Sequence, residues 1–340
     1  MISAEALLNV AQRSPRSILF IALQGLGNVL LAEPALAACR GRYPGARITL
    51  LVRTQSHGAL LADHPAVHEI APFTRPDLWR LRRRRFDLSY TCFPANDWRF
   101  EAVTRLIAAR RRVGHAYPLR RPLHVPGAYT QRVPVAAVDD VRQNLNLVGP
   151  DLPYRPPHLD AVPVLRNGPV LGVHPGSSHS RLMALKRWPA GHFRAVIDRA
   201  LAALPELTVW LFAGPEDEAE AAAIAADPEP RLEVVRGLSI VETARRIAAC
   251  TAFLSNDSGL MHVAAACGVP TVALFGPTDP RRTAPRDAVV VTRSVDCAPC
   301  WPLEATGHRD PCPLPTPICL TGLHPERVWQ SLAPFLIKAA

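Results

Sequence analysis

The amino-acid sequence predicts an α/β protein of two doubly wound parallel-sheet domains facing each other across a cleft. Three observations lead there. Short apolar runs recur with helical segments between them in both halves of the chain, as at residues 17–23, 47–52, 169–174, 208–213 and 271–275. Runs of this kind mark parallel strands buried on both faces. The stretch 150–163, PDLPYRPPHLDAVP, lacks apolar periodicity and reads as a linker. A chain of 340 residues also suits two domains of ordinary size. The expected divisions are 1–155 and 165–324, with 325–340 as a C-terminal helix that is free to return to the first domain.

In the first half, residues 17–23 form a strand, Gln24 to Asn28 a turn, residues 29–39 a helix and residues 47–52 a second strand, which together make a βαβ unit. Gly25 and Gly27 suggest a dinucleotide fingerprint, but the third glycine is missing. No acid ends the second strand, where Arg53 stands instead, so a nicotinamide cofactor is discounted. Asn28 suits the cap of a helix starting at Val29.

Charge is unevenly placed. Residues 1–150 hold 21 arginines and no lysine against 10 acids, whereas residues 151–340 hold 18 basic against 19 acidic residues. Three arginine clusters, 80–85, 110–112 and 120–121, lie in the first half. Each alone reads as a solvated face. Together they point to an anionic partner, either an acidic acceptor or an anionic membrane surface. Nucleic acid is set aside because the few aromatics form no stacking platform and no nucleic-acid motif appears. No apolar run reaches the roughly 18 residues of a membrane helix, and the N-terminus lacks signal-peptide features. A cytoplasmic protein is expected, with peripheral contact at the inner face of the membrane.

In the second half, a strand over 169–174 leads into the loop Pro175-Gly176-Ser177-Ser178. Lys186-Arg187-Trp188-Pro189 opens a helix over about 190–203. Only Lys186 and Lys338 are lysines among 37 arginines, which hints that position 186 needs a compact ammonium. After the strand 208–213, Gly214 to Glu218 opens a long Ala-rich helix. The stretch TAFLSNDSGLMHVAAACGVPTVALFG, residues 251–276, then reads strand, turn, helix, turn, strand. Its helix starts at the carboxyl edge of the sheet, where ligands bind in open α/β sheets and where free N–H groups favour phosphates.

Asn256-Asp257-Ser258-Gly259-Leu260-Met261-His262, then Ala264-Ala265, Gly268-Val269-Pro270-Thr271 and Phe275-Gly276-Pro277-Thr278, resemble the donor-site signature of glycosyltransferase family 9. That family comprises the heptosyltransferases of lipopolysaccharide assembly and their relatives. Lys186-Arg187-Trp188-Pro189 and the first βαβ unit, GLGNVLLAEPAL…YPGARITLLV, extend the likeness over most of the chain. The resemblance implies the GT-B arrangement of two Rossmann-like domains and an inverting, metal-independent transfer. The donor is a nucleoside diphosphate sugar, with ADP-heptose expected, and the acceptor an anionic saccharide or lipid. It also implies that Ser177, Ser178, Asp257, Ser258, Gly259 and His262 line the donor and that Lys186 neutralises the leaving diphosphate. An acid after Gly214-Pro215 reaches the ribose, Glu218 being preferred and Glu216 second. Gly25, Gly27 and Asn28 fall on the acceptor side.

One departure matters. The family places its proposed general base, an Asp, where this chain has Asn28. An amide does not titrate usefully, and losing a base costs roughly 10²–10⁴ in rate. Glu33, Asp63 and Asp97 are candidate substitutes. The rival reading is a non-catalytic nucleotide-sugar or glycan-binding protein.

Cys297, Cys300, Cys312 and Cys319 lie within 23 residues, punctuated by prolines. Four thiolates with a leading C-x2-C suit a structural zinc or iron in a reducing compartment, against free thiols or a disulfide. No cofactor is expected for catalysis. Cys39, Cys92, Cys250 and Cys267 read as core filler.

Overall fold

The computed structural model describes residues 14–117, 124–178, 182–301, 312 and 314–338. The Arg120–Arg121 cluster lies outside them.

By contact the chain divides into two compact units. The first holds a sheet of β1 (Ser17–Ala22), β2 (Arg47–Val52), β3 (Glu69–Pro72), β4 (Leu88–Thr91), β5 (Arg111–Ala116) and β6 (Gln131–Pro134). Its order is β3-β2-β1-β4-β5-β6 and every pair is parallel. The second holds β7 (Val170–His174), β8 (Thr208–Phe212), β9 (Leu232–Val235), β10 (Ala252–Asn256), β11 (Thr271–Phe275) and β12 (Val289–Thr292). Its order, β12-β11-β10-β7-β8-β9, is the same topology repeated, again wholly parallel. In both sheets the order reverses beside the first strand, and that switch point is where open α/β sheets form their ligand crevice.

The helices that matter below are α1 (Leu26–Leu31), α2 (Glu33–Arg42), α3 (Arg75–Arg83), α4 (Trp98–Ile107), α5 (Asp140–Val148), α6 (Ala190–Ala203), α7 (Glu218–Ile224), α8 (Ile240–Ala248), α9 (Gly259–Ala266) and α10 (Pro325–Ile337). The core of the second unit is built from β7, β8, β10 and β11 under α6 and α10, around Trp188, Phe193, Leu211, Leu254 and Trp329. Trp188 is only 1% exposed and donates its indole N–H to the Leu323 carbonyl at 2.9 Å. The tryptophan of the KRWP motif is therefore a core residue that fixes the loop carrying Lys186.

Four expectations change. The helix expected over 29–39 is two helices, because Pro34 lies in the first turn of α2, where its missing N–H costs nothing, and the chain breaks at Ala32. Asn28 is the third residue of α1 and its backbone N–H bonds the Gly25 carbonyl at 3.0 Å, so it is no cap. The helix after Gly214 is seven residues, not long. The C-terminal helix, expected to be free for the first domain, buries Val328, Leu332 and Leu336 in the second unit's core.

The division by contact also differs from 1–155 and 165–324. Gly25–Leu31 and Ala136–Gln143 group with the second unit. The first grouping follows from a missing side chain. A Cβ on Gly27 would stand 2.7 Å from the His262 ring, so only glycine lets α1 lie against α9.

Candidate active site

The C-terminal ends of β7 and β10 set the site. β10 ends at Asn256, which is fully buried. Its side-chain carbonyl accepts from the Trp188 N–H at 3.1 Å, and its amide donates to the Pro175 carbonyl at 2.6 Å. One side chain thus latches both loops, 175–178 and 183–188, to the switch point. Ser177 is spent on the same task, donating its hydroxyl to the Met183 carbonyl at 2.9 Å, whereas Ser178 is exposed.

Lys186 then reaches Asp257 at 2.6 Å, with the two side chains 11% and 6% exposed. Its ammonium also sits 5.7 Å from the Trp301 ring centre. Burial pushes the Asp257 carboxyl upward, but the Lys186 charge and hydrogen bond outweigh this. With His262 and Thr278 they hold it below the usual carboxylate range. His262, one helical turn on, is 7% exposed. Burial, joined by Lys186, pushes its imidazole down to about 4 against the pull of Asp257. At neutral pH Asp257 is therefore a carboxylate beside a neutral imidazole.

Ser258 occupies the N-cap position of α9 in an extended conformation but makes no side-chain cap bond. Its hydroxyl is taken by His174 Nδ1 at 3.0 Å and Ser255 at 3.0 Å. Ser258 thus leaves the first-turn N–H groups of α9 uncapped at the carboxyl end of β10, an arrangement suited to phosphate.

Two site residues escaped the sequence reading. His174 ends β7, and its Nε2 lies 3.3 Å from Asp217. Asp217 is 6% exposed, takes Arg187 at 3.0 Å and accepts from the Gly214 N–H at 3.2 Å. Burial pushes the Asp217 carboxyl up, and His174, the Gly214 N–H and Arg187 more than offset it. Glu218, the acid preferred from sequence, is about half exposed and pairs with Arg236 at 3.2 Å. It nevertheless lines a cavity of about 760 Å³ with His174, Phe212, Gly214, Leu238 and Leu260, a size that suits a nucleotide. Gly176, after the neighbouring strand β7, leaves room for Asp217: a Cβ there would stand 2.0 Å from its Oδ1.

Among the candidate bases, Glu33 is buried and bonded to His64 at 3.0 Å, Asp97 caps α4 through the Arg99 N–H, and Asp63 is exposed.

The four clustered cysteines line one small cavity with Leu185, Pro277 and Trp301. Burial and the neighbouring thiols push Cys319 up to about 11. Among the described residues, no three His, Cys, Asp or Glu side chains are placed to hold a metal ion. Cys39, Cys92 and Cys250 are buried and Cys267 is half-buried.

A family model for glycosyltransferase family 9 (heptosyltransferase) matches residues 79–304. The chain belongs to glycosyltransferase family 9. The family 9 protein is 27% identical over 353 residues to lipopolysaccharide heptosyltransferase 1 of Pseudomonas aeruginosa, covering 94% of this chain and 98% of that one. Its fold matches the structure of ADP-heptose lipopolysaccharide heptosyltransferase II from Escherichia coli with a TM-score of 0.75 at 24% identity, over 95% and 99% of the two chains. It also matches the iron-containing dodecameric glycosyltransferase TibC of enterotoxigenic E. coli, with a TM-score of 0.60 at 16% identity, over 96% and 76%. The family 9 protein is accordingly a glycosyltransferase with the GT-B pair of parallel-sheet units. The binding-protein alternative finds no support among these relatives. No helix among the described residues is long and apolar enough to cross a membrane.

Proposed function

We propose that this glycosyltransferase moves a heptose, with inversion, from ADP-heptose to an anionic saccharide or lipid acceptor of lipopolysaccharide core assembly. The observation that supports it best is the buried Lys186–Asp257 pair beside the uncapped start of α9. An acceptor hydroxyl attacks the anomeric carbon as the bond to the diphosphate breaks, and its proton passes to solvent water. Negative charge then develops on ADP, where the Lys186 ammonium and the N–H groups of Gly259 and its neighbours meet it. Asp257 holds the ammonium in place, leaving two of its three N–H donors to turn to phosphate. Ser258 is held by His174, and Ser178 stands at the loop mouth for the same phosphates. Ser177 shapes that loop through Met183. Glu218 reaches the ribose from the rim of the nucleotide-sized cavity.

Gly25, Gly27 and Asn28 stand on the acceptor side, with Asn28 hydrogen-bonding the acceptor hydroxyl. The protein is cytoplasmic, contacts the inner face of the membrane peripherally, and needs no cofactor for the transfer. Cys297, Cys300, Cys312 and Cys319 would hold a structural zinc or iron. The observation behind this reading is the small cavity that the four thiols share. A bound metal would tie the loop after β12 to the start of α10.

Release of ADP from ADP-heptose, followed with and without a lipopolysaccharide-core acceptor for the wild type and Asn28→Asp, tests the reading. Acceptor-dependent release by the wild type is expected, with a faster variant. Release by neither protein would sink the donor assignment, and release by the variant alone would make Asn28 a disabled base.

A further inference from the structure

The outer face of α3 does no work in the site. This nine-residue helix packs Leu81 fully into the first unit's core, with Leu78 beside it. Three- and four-residue steps place Arg75, Trp79, Arg82 and Arg83 on the opposite face, and all four are exposed. Trp79 is 57% exposed, and Phe73, just before the helix cap Thr74, is 42% exposed. The Arg82 guanidinium lies 5.9 Å from the Trp79 ring centre, which holds the indole on the surface.

The arginines differ in their pairing. Glu69 takes Arg80 and Arg84, and Asp77 takes Arg80 at 2.7 Å. Among the described residues no carboxylate lies within ion-pair distance of Arg75, Arg82, Arg83 or Arg85. Arg82 also donates to the Leu106 carbonyl at 2.7 Å. The helix thus offers three arginines without a carboxylate partner, with Arg85 just past its end, near an exposed indole and an exposed phenyl ring.

A single exposed Trp is ordinary on a soluble protein. One framed by unpaired arginines on a short amphipathic helix matches the chemistry of a bilayer interface. There indole sits at the headgroup level and arginine meets anionic lipid. A single-stranded nucleic acid would want several aromatic faces in succession, which this helix lacks.

We infer that α3 is the membrane-docking element of this protein, laying Trp79 and Phe73 into the headgroup region of an anionic bilayer while Arg75, Arg82, Arg83 and Arg85 contact lipid phosphates. This deepens the peripheral membrane contact proposed above and rests on it. The orientation would bring the first unit to a lipid-borne acceptor.

The test uses the full chain and sedimentation with vesicles of phosphatidylglycerol and phosphatidylcholine, beside vesicles of phosphatidylcholine alone. The wild type binds the anionic vesicles and is released by salt. Arg75→Gln, Arg82→Gln and Arg83→Gln together weaken vesicle binding by roughly 100-fold, at about fivefold per arginine. Trp79→Ala weakens it further, and Arg99→Gln, on a separate helix, leaves it unchanged. The α3 variants keep their turnover on a water-soluble, deacylated acceptor, which also shows that they fold.

Equal vesicle binding by the triple variant and the wild type overturns the inference, as does equal binding to neutral vesicles. So does a triple variant that loses a short RNA but keeps the vesicles. A wild type that transfers heptose yet ignores vesicles overturns this inference alone. One that binds through α3 yet transfers nothing overturns the transfer reading and leaves the docking face standing.

Discussion

Replacing Lys186 with methionine tests the site through its electrostatics. The ammonium and the Asp257 carboxylate are 2.6 Å apart and both side chains are nearly buried. Met keeps the volume of the stem and removes the charge, leaving Asp257 in a cavity that opposes ionisation. Breaking a buried pair from one side costs about 3–5 kcal/mol. Replacing both partners in Lys186→Met with Asp257→Asn removes the stranded charge, so the double variant is more stable than Lys186→Met alone.

The pH dependence has a definite sign. In the wild type the Asp257 carboxyl lies below its unfolded value, so its contribution is present at neutral pH and is lost only as pH falls through the folded value, in the acid range. In Lys186→Met the push of burial, the largest influence, is opposed only by His262 and the Thr278 hydrogen bond, and the folded value rises above the unfolded one. The penalty is then greatest at neutral pH and shrinks as pH falls and the carboxyl takes up a proton. Urea unfolding followed by tryptophan fluorescence reads this as a midpoint shift at unchanged slope. ADP release by the same variant falls by about 10²–10³, the usual loss for a donor that meets developing negative charge. A penalty under about 1 kcal/mol at neutral pH, or one that grows on acidification, would refute the reasoning.

Two further outcomes follow from the geometry. The His262 imidazole is held near 4 against an ordinary 6.5, so it stays neutral in the folded state while the unfolded chain takes up a proton. Stability should be level above about pH 6.5, fall as pH drops toward about 4 by up to roughly 3 kcal/mol, and lose most of that slope in His262→Gln, as acid-dependent urea midpoints will show. Gly176→Ala places a methyl 2.0 Å from Asp217 Oδ1 and dislodges the carboxylate from His174, Arg187 and Gly214. It should cost about 1–3 kcal/mol and weaken ADP binding in calorimetry, whereas Gly191→Ala, with nothing within 4 Å, should leave ADP binding unchanged.

The strand, turn and helix of residues 251–276 were legible because their signal is local. Strand, turn and short apolar helix follow one another within residues 251–276, and the structure places β10, Asp257, Ser258 and α9 in that order. The acid at the start of α7 was not legible. Glu216, Asp217 and Glu218 all suit the positive end of a helix, so composition cannot choose among them. Burial does: the chain turns Asp217 inward to His174 and leaves Glu218 half exposed with Arg236. His174 was passed over for a related reason, since a lone histidine ending an apolar strand looks the same whether it is filler or part of a network.

The sequence by itself determined the alternation of buried strands and helices in both halves, the family and the place of the acid-serine turn. All of these depend on residue types a few positions apart. Tertiary structure alone decided that α1 lies on α9 through Gly27 and that Asn28 is inside a helix rather than capping it. It alone decided that the last helix closes the second unit and that Lys186 finds Asp257 across 71 residues of chain. Those outcomes turn on which distant side chains exclude water from one another, and a contact of that kind leaves no period or spacing in the sequence.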